Sequence, residues 1–335
     1  MKKKIDWKTF LTSNEMIIIY IIAILSVVIS TQNAAAFLSV GNVIRLARAI
    51  LVTMVFAICE MMVIISGGID VSFPAVGCAA LFIPIKLMVD NNIDNVWFAF
   101  ALAVLIGLAF GALNAFLTAI LKIPPLIATL GVSSLINGGM LAFFGSKEIS
   151  NLPSAVDAVS KMFLFSVTTE AGTTYSLTVL FLIPVVLCII VYFLLKYTML
   201  GRGIYAIGGD ENAARIAGFN VTRIRFFVYM FAGAITGLGA MAYCILCRTA
   251  NPKNLMGSEM MVIAAVVVGG TRITGGHGNV LGTILGVILI GLIENNLIMA
   301  GVPTYWQSAV VGLVIVLGTS ITSLKAKRIA QSAKI

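Results

Sequence analysis

Long apolar runs alternate with short polar connections along almost the whole chain. A transmembrane helix needs about 20 apolar residues to cross the hydrocarbon core of a bilayer. Runs of this kind predict ten spans, at residues 16–32, 43–66, 71–90, 96–121, 124–145, 176–197, 225–248, 258–270, 278–300 and 303–322. The pattern therefore predicts an all-α polytopic membrane protein of about ten transmembrane helices, with residues 1–335 forming a single transmembrane domain.

One polar stretch interrupts this pattern at residues 201–220, GRGIYAIGGDENAARIAGFN, here called the polar segment. It predicts a short amphipathic helix from Glu211 to Ala217, because Asp210 can cap the first amides and Gly218 can close the C-terminus. One predicted face carries Glu211, Asn212 and Arg215, and the other carries Ala213, Ala214, Ile216 and Ala217. Isolated helices shorter than about 12 residues are marginal in water, so this helix requires a docking surface.

Composition agrees with a membrane protein that has no separate soluble domain. Hydrophobic residues make up 60% of the 335 positions and charged residues 10%, and the mean hydropathy is +1.08. Soluble domains carry about 25% charged residues. The basic N-terminus runs into apolar sequence without an A-x-A cleavage site, which predicts a retained first span. The five cysteines lie in or beside apolar runs and do not form a disulfide framework.

The distribution of positive charge predicts the orientation of the chain. With a cytoplasmic N-terminus, 15 of the 22 Lys and Arg residues fall on the inner side and 7 on the outer side, as the positive-inside rule requires. Both termini and the loop 198–224 are then cytoplasmic, and the longest outer segment, 145–175, can form a small external lid. The net charge of +9 is explained by anionic lipid facing the inner loops, and it indicates no nucleic-acid partner.

Enzymatic chemistry is not expected from these residues. A phosphate-binding P-loop requires Gly-Lys-Ser/Thr, which occurs nowhere in the chain. The only histidine, His277, lies in a glycine-rich turn and leaves no plausible zinc site or Ser-His-Asp set. We therefore predict that the chain is not an enzyme and holds no metal or cofactor.

Transport remains as a possible function, and the sequence is compatible with two energy sources for it. An ion-coupled secondary transporter would use buried acids, for which the candidates are Glu60, Asp70, Glu259 and Glu294. Such a carrier gives no reason to keep a structured cytoplasmic helix. A membrane subunit without an ATP site can instead receive work mechanically through that helix from a separate ATPase. A purely structural membrane scaffold is the alternative to transport.

Two glycine-dense stretches, SGGIDVS at 66–72 and GGTRITGGHGN at 269–279, lie at ends of predicted spans. Irregular backbone at membrane depth is tolerated where protein or a water-filled cavity satisfies its amides. Glycine also serves wherever two spans reverse direction with positive φ. Each stretch is therefore either a tight turn or the lining of a pathway.

Several of these stretches resemble one family. The run GRGIYAIGGDENAARIAGFNV resembles the coupling loop of bacterial ABC importer permeases of the ribose/simple-sugar (also autoinducer-2-like) type. Three other segments are similar to family segments in the same order, so that the resemblance covers about residues 42–319. These segments are SGGIDVS at 66–72, PPLIATLGVSSLINGG at 124–139 and IAAVVVGGTRITGGHGNVLGTILGVILIGLIENNL at 263–297.

This resemblance implies a permease subunit in the bacterial inner membrane. It implies a second permease subunit, identical or paralogous, and an external or periplasmic substrate-binding protein. It also implies a cytoplasmic ABC ATPase, which would bind the ATP and magnesium. The cargo would be a ribose-like pentose, a hexose, or a related polyol or signal molecule. A permease for nucleosides or branched-chain amino acids would share the same coupling loop and stays an alternative.

Two sets of site residues follow from this reading. The ATPase-coupling set is Gly201, Arg202, Gly208, Gly209, Asp210, Glu211, Ala214, Arg215 and Gly218. The candidate translocation-pathway set is Asp70, Ser72, Phe73, Asn114, Asn137, Asn295 and Asn296. Amides and hydroxyls within spans also serve to bond neighbouring helices, and Phe73 can either pack in the core or stack on a sugar. The chain departs from the family pattern at Phe73-Pro74, in the run that begins at Glu259, and at Arg272 and His277, which leaves the exact sugar open.

Overall fold

A computed structural model describes residues 14–169, 172–303, 306, 309–313 and 316. Helices dominate it. The long and short α-helices are α1 (Asn14–Phe37), α2 (Val40–Ile65), α3 (Phe73–Asp90), α4 (Val96–Ala115), α5 (Pro125–Phe144), α6 (Ser154–Ser160), α7 (Leu182–Tyr197), α8 (Met199–Gly209), α9 (Glu211–Ile216), α10 (Val221–Cys247), α11 (Glu259–Val268) and α12 (Val280–Asn296). A π-helical turn (Phe116–Ile120) extends α4, and 3-10 turns precede α7 (Val179–Phe181) and follow α12 (Leu297–Ala300).

The predicted spans overlap these helices as far as the structure describes the chain, although residues 176–178 of the sixth span belong to a β-strand, Thr174–Thr178. Among the described residues, seven helices are long and apolar enough to cross a membrane, and α11 and α12 are shorter apolar helices. The tenth predicted span, 303–322, lies mostly outside the described residues. The protein is thus a helical polytopic membrane protein, as the apolar runs predict.

Strands are the one departure from an all-α fold in the described residues. They are β1 (Phe163–Thr168) and β2 (Thr174–Thr178), which pair antiparallel as a hairpin with a register shift between Phe163 and Phe165. The short helix α6 and strand β1 lie within the segment 145–175, and β2 begins at the end of this segment. Sequence reasoning expected a small lid there but did not predict its secondary structure.

Helix α2 forms the centre of the bundle. Of its apolar window, 83% is buried within the protein, against 11% for α1, which lies at the edge. A helix that is hydrophobic on all sides is typical of such a central position. Helices α7, α10, α11 and α12 pack around α2, so the residues that follow its C-terminal end at Ile65 lie among several neighbouring helices.

Glycine contacts hold the tightest helix pair, α4 with α10. Each helix carries a GxxxG motif, Gly107 with Gly111 in α4 and Gly233 with Gly237 in α10. A Cβ added to Gly107 would lie 2.0 Å from the Gly233 carbonyl oxygen, and one added to Gly233 would lie 2.2 Å from the Gly107 carbonyl oxygen. Small residues allow backbones to approach in this way where lipid supplies no hydrophobic drive between helices.

The same arrangement recurs between α11 and α12. A Cβ on Gly286 would lie 2.0 Å from the Ala265 carbonyl oxygen, and one on Gly282 would lie 2.0 Å from the Gly269 carbonyl oxygen. The short helix α11 is therefore fixed to α12 along its C-terminal half and at the glycine stretch that follows it.

The loops gather at two ends of the bundle. At one end, the amide of Gly276 donates to the carbonyl of Ile65 over 2.9 Å, which joins the stretches 66–72 and 269–279 next to the polar segment. At the other end, Ile149 pairs with Ala250 as an isolated bridge. These two groupings follow the division of inner and outer loops that the charge count predicts.

Replacement of Gly233 by alanine should destabilise the protein, because the new methyl group would overlap the Gly107 carbonyl. Overpacking of this kind costs about 1–3 kcal/mol. Thermal unfolding of the detergent-purified protein measures the effect. Gly139→Ala in α5 is the matched control, since no atom of the described residues lies within 4 Å of a Cβ at that position. Equal unfolding temperatures for the two variants would contradict the close contact of α4 and α10.

Candidate functional site

The polar segment contains two helices where sequence reasoning predicted one. Residues 199–209 form α8, so Gly201, Arg202, Gly208 and Gly209 lie within a helix rather than in flanking turns. Gly201 is required where α8 leaves α7, because a Cβ there would lie 2.3 Å from the Leu194 carbonyl oxygen. Arg202 is exposed, and its guanidinium contacts the sulfur of Met199 at 2.7 Å.

The second helix, α9, has the caps that the sequence predicts. The Asp210 carboxylate accepts hydrogen bonds from the amides of Asn212 and Ala213 at 2.8 and 3.0 Å. Gly218 has φ +88° and its amide donates to the Arg215 carbonyl over 3.0 Å. The helix ends at Ile216, one residue earlier than predicted, because Ala217 takes the C-cap position.

Ion pairs tie α9 to the start of α10. Glu211 accepts hydrogen bonds from Arg215 on its own helix at 2.9 Å and from Arg225 on α10 at 2.7 Å. The Arg225 side chain is only 19% exposed, so this pair is less screened by solvent than an ordinary surface pair. The Glu211–Arg225 pair fixes the short helix to a long membrane helix.

The predicted apolar face of α9 divides in two. Ala214 is buried against the rest of the chain, whereas Ile216 is 89% exposed. An open cavity of about 350 Å³ lies at the end of α9. It is lined by Arg215, Gly218, Phe219, Asn220, Val221 and Thr222. The described residues therefore supply only part of the docking surface that so short a helix needs.

Three of the pathway candidates form one buried hydrogen-bond network. The Asp70 carboxylate accepts from the amide and the hydroxyl of Ser72 at 2.7 and 2.6 Å. The Ser72 hydroxyl in turn accepts from the Asn114 side-chain amide at 2.8 Å. All three side chains are buried. They join the start of α3 to the end of α4, a bonding role between neighbouring helices.

Further polar groups, which sequence reasoning did not assign to the pathway, surround this network. Glu60, raised above only as an ion-binding acid, is buried and accepts from the Asp70 amide at 3.1 Å. The Thr129 hydroxyl accepts from the Val71 amide at 3.2 Å. Tyr229 is buried on α10, and its hydroxyl has no hydrogen-bond partner among the described residues. We call Glu60, Asp70, Ser72, Asn114, Thr129 and Tyr229 the buried polar cluster.

The remaining pathway candidates lie elsewhere. The ring of Phe73 is buried with its centroid 5.3 Å from that of Phe56, a packing contact. Asn137 lies on α5 with a buried carbonyl oxygen that lacks a partner in the described part of the chain. Asn295 donates to the Gly291 carbonyl at 2.8 Å, and Asn296 is buried at the end of α12. Of the seven candidates, hydrogen bonds join only Asp70, Ser72 and Asn114 to one another in the described structure.

The acids proposed for ion coupling are also dispersed. Glu60 and Asp70 come together, but Glu259 accepts from the Gly257 amide at 2.9 Å near the start of α11, and Glu294 lies on α12. Within the described residues, no three His, Cys, Asp or Glu side chains are placed to hold a metal ion. The described arrangement does not form a continuous relay of acids.

Charged groups organise the end opposite the polar segment. Hydrogen bonds from Lys161 and Arg248 hold the pKa of Asp157 below its usual value. The Asp94 carboxylate accepts from the Ser154 hydroxyl and from the Ala155 amide, and both bonds lower its pKa. These contacts fix α6 against the neighbouring loops, so the segment 145–175 is tied to the bundle at several points.

Comparison with known proteins gives a consistent result. A family model described as "Branched-chain amino acid transport system / permease component" matches residues 9–318. The chain is 32% identical to the ribose import permease protein of Bacillus subtilis (strain 168), over 90% of each chain. It is 28% identical to the D-allose transport system permease protein of Escherichia coli (strain K12), over 92% of this chain and 91% of that protein.

A third relative is the fructose import permease protein of Bifidobacterium longum (strain NCC 2705). It is 28% identical over 88% of this chain and 86% of its own length. No solved structure shows a significant match.

The Asp70 side chain should stabilise the fold as a hydrogen-bond acceptor. Asp70→Ala leaves the Ser72 amide and hydroxyl without that acceptor, which costs about 1–3 kcal/mol for each unsatisfied buried group. Asp70→Asn keeps an oxygen at the same position and should lose much less. Thermal unfolding of the purified variants distinguishes them. An asparagine variant as unstable as the alanine variant would show that the cluster needs the negative charge itself.

Proposed function

Because the chain belongs to the branched-chain amino acid transport system permease family, we propose that it is the membrane permease of an ATP-driven importer for a simple sugar. The relatives named above are permeases for ribose, allose and fructose. Their similarity extends over nearly the whole chain, which favours a sugar over the branched-chain amino acid in the family description. A nucleoside is the other alternative cargo.

Energy would come from a separate cytoplasmic ATPase that binds ATP and magnesium. The chain has no Gly-Lys-Ser/Thr sequence from which to build a P-loop. The coupling set named above would be the contact region, with Asp210 and Gly218 defining the helix α9 and Glu211 fixing it to α10. The loop 198–224 and both termini would face the cytoplasm of a bacterial cell, with the segment 145–175 outside.

The exposure of Ile216 carries this proposal. It lies on a helix outside the predicted spans, so its 89% exposure is not explained by contact with lipid tails. A helix as short as α9 needs a docking surface, and the described residues leave the Ile216 side chain of this helix uncovered. Burial of an isoleucine side chain is worth about 1.5–3 kcal/mol. A partner surface that covers Ile216 and fills the adjacent cavity would complete the docking of α9.

A second permease subunit would lie against α5. Gly131, Ser134 and Gly138 share one face of this helix, and no described atom lies within 4 Å of a Cβ built on either glycine. Small residues favour contact between helices over contact with lipid. Asn137, next to this face, has an unpartnered carbonyl oxygen among the described residues. We infer that the pathway runs between two such helices, with Asn137 lining it.

The other pathway candidates would act at a distance from that surface. Asp70, Ser72, Phe73 and Asn114 are buried inside one subunit, where they would position α3 and α4 beside the passage rather than contact the sugar. Asn295 and Asn296 would contribute at the far end of α12. The external substrate-binding protein would dock near the segment 145–175.

We also propose that the chain forms ten membrane spans. Helix α11 has 10 residues, about 15 Å at 1.5 Å per residue, which is half of a hydrocarbon core of about 30 Å. Helix α12 and its 3-10 turn reach from residue 280 to 300, about the full thickness. We propose that α11 enters only part of the bilayer depth and that residues 303–322 complete the tenth span.

Transport should require the ATPase. In proteoliposomes that contain the permease, its ATPase and its binding protein, we expect uptake of radiolabelled ribose, allose or fructose only with Mg-ATP on the ATPase side. Omission of the ATPase is the control. Uptake driven by an ion gradient without ATP would make the protein a secondary transporter. Uptake of a labelled nucleoside or leucine instead of a sugar would assign it to the alternative cargo class.

Ile216→Asp should weaken association with the ATPase. The loss of one buried isoleucine corresponds to about tenfold or more in affinity. Co-purification of the tagged permease with the ATPase, quantified against the wild type, measures this loss. Leu164→Asp in β1 is the matched control, since Leu164 is also exposed but lies at the opposite end. Unchanged association of the Ile216→Asp variant would contradict the docking role of α9.

A further inference from the structure

Three glycine-containing stretches that are far apart in sequence meet at the end of α8. A Cβ on Gly208 would lie 1.8 Å from the Ile65 carbonyl oxygen and 2.7 Å from the Gly276 amide nitrogen. A Cβ on Gly275 would lie 2.6 Å from the Gly208 carbonyl oxygen and 2.9 Å from the Cα of Gly67. We call Gly67, Gly208, Gly275 and Gly276 the glycine junction. Backbone meets backbone there without intervening side chains.

Hydrogen bonds hold the junction together. The Gly276 amide donates to the Ile65 carbonyl at 2.9 Å, and the Tyr205 hydroxyl donates to the Gly278 carbonyl at 2.7 Å. Burial raises the pKa of Tyr205, so its hydroxyl stays protonated as a donor over the physiological range. Tyr205 and Gly208 are three residues apart on α8 and both contact the stretch 269–279.

The junction lies between α9 and the buried polar cluster. On one side, Gly208 is two residues before Asp210, which caps α9. On the other side, Gly67 is three residues before Asp70, whose carboxylate binds Ser72 at the start of α3. A contact between backbones transmits displacement more directly than a contact through long side chains, because packed protein interiors have low compressibility.

We propose that Gly208 is a positioning residue for transport, through which movement of α9 reaches the loop 66–72 and the buried polar cluster. The proposal rests on the coupling function proposed above and deepens it. It also separates two adjacent members of the coupling set. Gly208 faces inward against Ile65, whereas no described atom lies within 4 Å of a Cβ built on Gly209. Only the first of the two glycines is required by a close contact.

The decisive comparison is Gly208→Ala against Gly139→Ala in the full complex with the ATPase and the binding protein, since no described atom lies within 4 Å of a Cβ built on Gly139. Three quantities are measured together: co-purification of the ATPase, the rate of ATP hydrolysis, and uptake of a labelled sugar. The sugar is the one among ribose, allose and fructose that the wild type takes up. We expect both variants to bind the ATPase. The ratio of sugar taken up to ATP hydrolysed should fall about tenfold or more in Gly208→Ala and stay at the wild-type value in Gly139→Ala.

A second variant covers the case in which Gly208→Ala does not fold. Tyr205→Phe removes only the hydrogen bond to Gly278 and adds no atom, so we expect a smaller fall of about twofold to tenfold in the same ratio. A third variant, Gly275→Ala, is compared with Gly257→Ala. Both glycines have positive φ, +86° and +89°, but within the described residues only Gly275 has atoms inside 4 Å. We expect a loss of coupling in Gly275→Ala alone.

The outcomes separate this inference from the proposed function. If Gly208→Ala folds and couples ATP hydrolysis to uptake normally, the role of the junction is overturned and the importer proposal stays intact. If Gly208→Ala does not fold, normal coupling in Tyr205→Phe has the same consequence. Absence of any ATPase association with the wild-type permease would overturn the importer proposal itself. Equal loss of coupling in Gly208→Ala and Gly139→Ala would also contradict the junction, because the loss would then not depend on the close contact at Gly208.

Discussion

Close approach of backbones is the constraint on which this structure depends. Inside a bilayer, helices gain little hydrophobic free energy by leaving lipid for one another, so packing and polar contacts must hold them together. The α4–α10 pair meets this requirement with Gly107 against Gly233, and α11 with α12 does so at Gly282 and Gly286. Each contact leaves no room for even one methyl group. The helix pairs that carry the buried polar cluster and the glycine stretches are fixed in this way.

The same constraint explains why three glycine-containing stretches meet at one end. Sequence reasoning left each of 66–72 and 269–279 as either a turn or a lining. The structure gives them a shared role, since Gly67 and Gly275 have positive φ and also contact α8 through backbone atoms. A turn requires only the first property. The second property ties both loops to the helix that precedes α9, so a local turn signal becomes a contact between distant parts of the chain.

Hydropathy and capping rules predicted what depends on local sequence, and the rest depends on tertiary contacts. The apolar runs predicted the long helices, and Asp210 with Gly218 predicted α9 to within one residue. Helix α8 was missed because Gly201, Gly203, Gly208 and Gly209 argue against a helix, yet Gly201 and Gly208 are required by close contacts with backbone atoms. Asp70 and Ser72 are neighbours in sequence, but nothing local indicates that Asn114 or Tyr229 joins them. The GxxxG motifs of α4 and α10 are present in the sequence, but nothing local indicates that these two helices pair with each other.

Helix α10 connects these regions as one rigid element. Its Arg225 binds Glu211 of α9, its Tyr229 lies in the buried polar cluster, and its Gly233 locks it to α4. Displacement of α9 would therefore act along two routes, through Arg225 on α10 with α4 and through Gly208 on the loops that flank α2 and α12. Packed helices shift between discrete arrangements rather than deform continuously. Because Asn114 of α4 donates to the hydroxyl of Ser72, the N-cap residue of α3, the buried polar cluster joins these two routes.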